Sequence, residues 1–158
     1  MEAAPLIVDV ERLARDGEQL TGEIPAAVVD LDPADPLLAP AGNIRYDLFV
    51  QLIGEELLVR GTVSQLFHCT CVRCGGAFER ESVDPGVTLA VQPQGAPFVD
   101  LTPDLRECII LTLPNHPLCR AECLGLCSQC GADLNRGPCG CPERRDDRWG
   151  ALEALGGE

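Results

Sequence analysis

The sequence predicts an α+β protein, with an antiparallel β-sheet core, one or two packed helices and a C-terminal Cys-rich, zinc-ribbon-like module. Three observations carry that expectation. Apolar and polar residues alternate through residues 43–53 and again through 77–83, the period of a half-buried strand. The stretch LTPDLRECIILTLP (101–114) has the punctuation and spacing of a single helix. Six of the ten cysteines fall between Cys119 and Cys141.

From the amino terminus, PLIVDV (5–10) reads as a short strand and VERLAR (10–15) as one or two turns of helix. Residues 19–29 read as extended chain. In LDPADPLLAPAG (31–42), Pro33, Pro36 and Pro40 cannot donate to a ladder and mark a loop. Ile44, Tyr46, Leu48, Val50 and Leu52 then share one strand face, opposite Arg45, Asp47 and Gln51. Gly54-Glu55 turns the chain into a second strand over 56–67, making a hairpin. After a CVRCGG turn, residues 77–83 and 87–91 give two further strands, for a sheet of four to six. In the helix, Thr102 is the expected N-cap, Pro103 suits the first turn, and Asp104 complements the positive end. Leu105, Cys108, Ile109 and Thr112 share one face, and Pro114 stops the element. The chain divides into an acidic β-rich body, residues 1–118, holding a helix near 103–112, and a Cys-rich module, 119–158. A second helix is expected over 147–155.

Charge sets the first limits on function. All 12 basic residues are Arg, against 25 Asp and Glu, for a formal net charge of −13. Residues 1–118 alone hold 7 Arg and 18 acids, a net of −11. Such a body repels polyanions, which excludes a freely basic nucleic-acid binder and argues against DNA as a partner. At 4% aromatic content, stacking platforms for single strands are scarce. The 46% hydrophobic content argues against wholesale disorder. No run approaches the roughly 20 apolar residues of a membrane helix, and the acidic start MEAAPLIVDVERLARD does not read as a secretory signal. A cytoplasmic chain is expected.

In that compartment, paired cysteines bind metal more often than they form disulfides. Cys71-Val-Arg-Cys74-Gly-Gly and Cys127-Ser-Gln-Cys130-Gly-Ala share one grammar. A two-residue spacer lets a tight turn present both thiolates to one ion. The Gly that follows permits the left-handed backbone that exposes amide donors to sulfur. Cys139-Gly-Cys141 supplies a return pair after Asn135, Gly137 and Pro138, and Cys119-x3-Cys123 is the remaining pair. A count gives two tetrahedral zinc sites: Cys71, Cys74, Cys119 and Cys123 in one, Cys127, Cys130, Cys139 and Cys141 in the other. Exchange of Cys119 and Cys123 into the second cluster is the competing division. Closed four-thiolate sites are structural, and each carries a residual charge of about −2. Cys108 reads as a small core residue on the helix, and Cys69 has no assignment. His68 is an alternative ligand beside the first pair, though a strand-surface His is the commoner reading. His116 reads as a loop residue.

Other chemistry is thin. There is no Walker-type Gly loop, no G-x-S-x-G and no HExxH helix. A thioredoxin-like pair normally opens a helix, and the Gly-Gly after Cys74 argues against one there. An iron–sulfur cluster does not match the spacing of Cys119, Cys123, Cys127 and Cys130.

The hairpin leading to CVRCGGAFE, the helix DLRECIILTLPNHPLC, the run CLGLCSQCGADLNRGPCGC and the closing DDRWGALEAL together resemble the YceD family. These are the large ribosomal RNA subunit accumulation proteins of bacteria and plastids. The resemblance covers roughly residues 45–155 and is densest in LPxxPLCxxxCxGLCxxCGxxLNxGPCxC. Asp147 stands where many members carry Pro. The resemblance implies a non-enzymatic ribosome-biogenesis factor that supports synthesis, processing or accumulation of large-subunit (23S) ribosomal RNA. Some members keep only the pair matching Cys71 and Cys74, which implies that the C-terminal zinc is structural and staples the tail to the body.

The acidic body is expected to attract a basic partner, a ribosomal protein or a nascent large-subunit ribonucleoprotein. Direct ribosomal RNA contact would fall to Arg136, Arg144, Arg145 and Arg148, partly cancelled by Glu143, Asp146 and Asp147. The competing classes are a thiol redox or metal-dependent enzyme using Cys71 and Cys74, and a zinc-ribbon adaptor protein.

Overall fold

The alternating segments pair into an antiparallel sheet. The computed structural model describes residues 5–32 and 35–142. Among the described residues, seven strands precede one helix: β1 (Ile7–Asp9), β2 (Glu18–Ile24), β3 (Leu38–Pro40), β4 (Ile44–Ile53), β5 (Glu56–Thr70), β6 (Ala77–Val91), β7 (Phe98–Asp100) and α1 (Thr102–Thr112). Short 3-10 turns lie at Ala26–Val29 and Leu134–Arg136.

The spine of the sheet is β5. It pairs with β6 from Leu57 opposite Val91 to Thr70 opposite Ala77, interrupted at Thr62. Its other edge is shared. From Glu56 to Ser64 it pairs with β4, and Phe67 to Cys69 pair with β3. Outermost on that side, β2 pairs with β4. With 15 residues in each strand, the β5–β6 ribbon is about 45 Å long. The loop 71–76, which carries the first cysteine pair, sits at its far end.

The core collects Ile44, Leu48 and Val50 of β4, Leu57, Val59, Val63 and Phe67 of β5, and Val87 of β6. Leu101, at the N-cap of α1, and Leu105 and Ile109 within it close over them and are fully buried. Cys108 is half-buried on the same helix, as its place on the apolar face requires. A small ribbon of β1 and β7 docks at the start of α1, where Leu101 N–H donates to Leu6 O at 2.9 Å.

Several local expectations are corrected. VERLAR forms turns rather than helix; Arg12 N–H is taken by Asp9 Oδ1 at 3.2 Å, and so short a segment cannot repay helix nucleation. The extended run from residue 19 ends at Ile24 in a 3-10 turn. The proline-rich loop contains an edge strand, β3. Ala41 N–H donates to Leu66 O at 2.9 Å, so the alternate residue Pro40 faces its nitrogen away from β5, where no donor is needed. Residues 77–83 and 87–91 belong to one strand. Pro85 and Gly86 bulge opposite Thr62, between the pairs Gly61–Val87 and Val63–Asp84. Thr102 does not cap the helix; its hydroxyl accepts from Leu6 N–H at 2.8 Å, and Asp100 Oδ1 accepts from Thr102 N–H at 2.9 Å. The expected second helix lies outside the described residues. Among those described, no helix is long and apolar enough to cross a membrane.

Candidate metal centres

Each CxxCG segment folds into the same turn. Cys71 N–H donates to Gly76 O at 2.9 Å and Gly75 N–H donates back to Cys71 O at 2.8 Å. In the second segment, Cys127 N–H donates to Ala132 O at 2.8 Å and Gly131 N–H to Cys127 O at 2.9 Å. Gly75 and Gly131 have φ of 69° and 73°, where any other residue would be strained. The turn aims amides at sulfur: Gln129 N–H lies 3.4 Å from Cys127 Sγ.

The first site spans two distant stretches of chain. After α1, the buried Pro117 accepts Val72 N–H at 3.0 Å, which lays the Cys-rich segment over the hairpin tip. Arg73 then clamps it, donating to Cys123 O at 2.9 Å and Ala121 O at 3.3 Å. Cys71 Sγ and Cys123 Sγ are 3.8 Å apart, and Cys74 Sγ and Cys119 Sγ 3.9 Å. All four sulfurs lie within 4.8 Å of one another. So do those of Cys127, Cys130, Cys139 and Cys141, all drawn from residues 127–141. Cys119 and Cys123 therefore lie with the hairpin pair, not with the second cluster.

These groups fit a tetrahedral thiolate-bound ion. Zinc–sulfur bonds near 2.3 Å give sulfur–sulfur edges of about 3.8 Å. All ten cysteines are free thiols, and the sulfur spacings far exceed the ~2.05 Å of a disulfide. Acidity splits within each group. Hydrogen bonds from backbone amides, first that of Cys119, hold Cys71 down at about 6, whereas burial pushes Cys119 up to about 12. The amides of Cys130 and Gln129 hold Cys127 at about 6, and the neighbouring Cys130 sulfur pushes Cys141 to about 12. Four crowded thiols cannot all ionise on their own, because each thiolate opposes the next. A divalent cation removes that opposition.

The remaining chemical side chains lie elsewhere. His68 is exposed on β5, its Nδ1 3.4 Å from Glu79 Oε1 across the ladder, and belongs to neither group. His116 is exposed in the loop after α1. Cys69 is buried in the sheet core, and burial raises its thiol pKa and that of Cys108. Cys71 and Cys74 sit in a hairpin loop, not at the start of a helix as in thioredoxin-like pairs.

A family description, large ribosomal RNA subunit accumulation protein YceD, matches residues 81–156. A chloroplast protein of Arabidopsis thaliana, named large ribosomal RNA subunit accumulation protein YCED homolog 1, is 33% identical over 58 residues, covering 36% of this chain and 18% of that protein. The carboxy-terminal part of the chain, residues 81–156, belongs to the YceD family. Longer similarities join it to uncharacterized proteins of two mycobacteria. The Mycobacterium leprae (strain TN) protein is 32% identical over 173 residues, 94% of this chain and 76% of that one. The Mycobacterium tuberculosis (strain H37Rv) protein is 34% identical over 185 residues, 99% of this chain and 84% of that one. No solved structure matches significantly. The YceD match contains Cys119, Cys123 and the whole second group, and begins beyond Cys71 and Cys74. The hairpin half of the first site therefore lies outside the matched YceD segment.

Two contributors escaped the sequence reading. Arg73 counted only as a spacer residue between cysteines, and Asn135 only as a turn residue. Asn135 Nδ2 is 3.5 Å from Cys123 Sγ. The one sequence signal for either is position: both lie inside the loops that carry the ligands.

Proposed function

We propose that this YceD-family chain is a non-enzymatic factor in the accumulation of large-subunit ribosomal RNA, working in the cytoplasm through a basic protein partner. The partner is a ribosomal protein or a nascent large-subunit ribonucleoprotein. The observation that carries the mechanism is the pair of closed four-sulfur groups. Cys71, Cys74, Cys119 and Cys123 would hold one zinc ion, and Cys127, Cys130, Cys139 and Cys141 another. Zinc bound this way supplies a cross-link and positive charge, and four protein ligands leave no position for a substrate.

The first site joins the β5–β6 hairpin tip to the segment after α1, so it staples the tail to the body. The acidic body supports the choice of partner. Residues 1–118 carry a net charge of −11, which speeds encounters with Arg- and Lys-rich segments and repels bare RNA.

The test presents the purified full chain to purified large-subunit ribosomal proteins and, separately, to 23S ribosomal RNA. The expected result is binding to at least one ribosomal protein that weakens as salt rises, with weak RNA binding. Tight RNA binding with a steep salt dependence, and no ribosomal protein bound, overturns the reading.

A further inference from the structure

Polar contacts that neither sulfur group needs for its own closure tie the two groups together. Asn135 belongs by sequence to the second group, in the loop between Cys130 and Cys139. Yet its Nδ2 donates to Cys123 Sγ of the first group at 3.5 Å. Its Oδ1 accepts Leu124 N–H at 2.9 Å and Arg120 Nη2 at 2.7 Å, both in the segment that carries Cys119 and Cys123. Asp133 holds the Asn135 side chain in place, its Oδ1 accepting from Asn135 N–H at 3.0 Å and from Nδ2 at 2.7 Å. Contacts also run the other way. Arg73, within the first site, accepts Leu126 N–H on its carbonyl at 3.1 Å, one residue before Cys127.

We propose that Asn135 is a positioning residue that couples the two metal sites, so that loading either one raises the affinity of the other. This deepens the functional reading above and rests on its two-metal premise. The second group closes a short loop, residues 127–141, whereas the first joins residues 71–74 to 119–123 across the whole of β6 and α1. The short loop costs less entropy to close. Its closure fixes the turn 133–137 and brings the Asn135 amide to Cys123 Sγ. A donor held against a ligand sulfur orients it and stabilises its thiolate form, an effect worth about 10–100-fold in metal affinity at other sites. Linkage makes the benefit reciprocal.

The experiment titrates metal-free full-length chain with Co²⁺, whose sulfur-to-metal absorption reports four-thiolate binding. The wild type is compared with Asn135→Ala, with the single-site chains Cys71→Ser/Cys74→Ser and Cys127→Ser/Cys130→Ser, and with Asn135→Ala added to the former. Circular dichroism checks that the β-sheet survives in each. The wild type should fill two sites in overlapping steps. Each single-site chain should bind its Co²⁺ about tenfold more weakly than the same site in the wild type. Asn135→Ala should separate the two steps, yet leave the remaining site of Cys71→Ser/Cys74→Ser unchanged. Unchanged titration of Asn135→Ala overturns the coupling while leaving two-metal binding standing. So does weakening of the second site by Asn135→Ala in the chain that lacks the first, because that marks a plain loop-folding role. Failure of the wild type to bind Co²⁺ overturns the metal reading itself.

Discussion

Cys69 and Cys71 stand two residues apart and both are buried, yet only Cys71 joins a sulfur group. Strand β5 ends at Thr70, and the turn after it takes Cys71 out of the alternation that packs Cys69 into the core. Cys71→Ala should therefore remove one metal equivalent per chain. Cys69→Ala should keep both and lose about 1 kcal/mol of stability, the usual size for a core truncation of this kind. Elemental analysis and a denaturant melt on the two variants check this. The ligand-bearing turns were legible in sequence because CxxCG encodes local geometry that Gly75 and Gly131 alone can complete. The roles of Arg73 and Asn135 were not, because their partners are carbonyls and a sulfur far along the chain.

At the scale of elements, β5 organises the molecule, and Gly61 lets β4 approach it. A Cβ at Gly61 would lie 2.0 Å from Asp47 O, a backbone atom that cannot move aside without breaking the ladder. Gly61→Ala should destabilise the chain by about 3 kcal/mol or more, the range of strained and clashing substitutions. Helix α1 makes a different prediction. Leu105 and Ile109 are fully buried against the sheet, so Leu105→Ala should cost about 2–5 kcal/mol by leaving a cavity. Chemical denaturation of both variants measures these losses. Alternation exposed β4 plainly, because its pattern Ile44, Tyr46, Leu48, Val50 faces the core. It missed β3 and split β6, since both contain proline at positions where only the tertiary pairing shows that no donor is lost. The helix showed by its spacing, whereas Thr102 was misassigned as a cap because its hydroxyl serves Leu6, ninety-six residues away in sequence.

For the whole molecule, contacts cross the division at residue 118: Arg73 reaches Ala121 and Cys123, Leu126 N–H bonds the Arg73 carbonyl, and the first sulfur group draws two members from each side. Metal and tail attachment should therefore be lost together. Chelator should leave the β-sheet signal of the body intact and open the segment after Pro117 to protease. Acid should do the same. Cys119 and Cys141, pushed upward, must lose protons for metal to bind, and Cys71 and Cys127, held at about 6, regain theirs on acidification, so apparent affinity falls as pH falls, and metal should be released on going from about pH 7.5 to about pH 5. Released metal read with a chromogenic chelator follows that curve. The most direct test of the account is the metal content of the full chain purified without chelator, measured by elemental analysis. Two zinc ions per chain is the predicted result; iron, or no metal with freely reactive thiols, would contradict it.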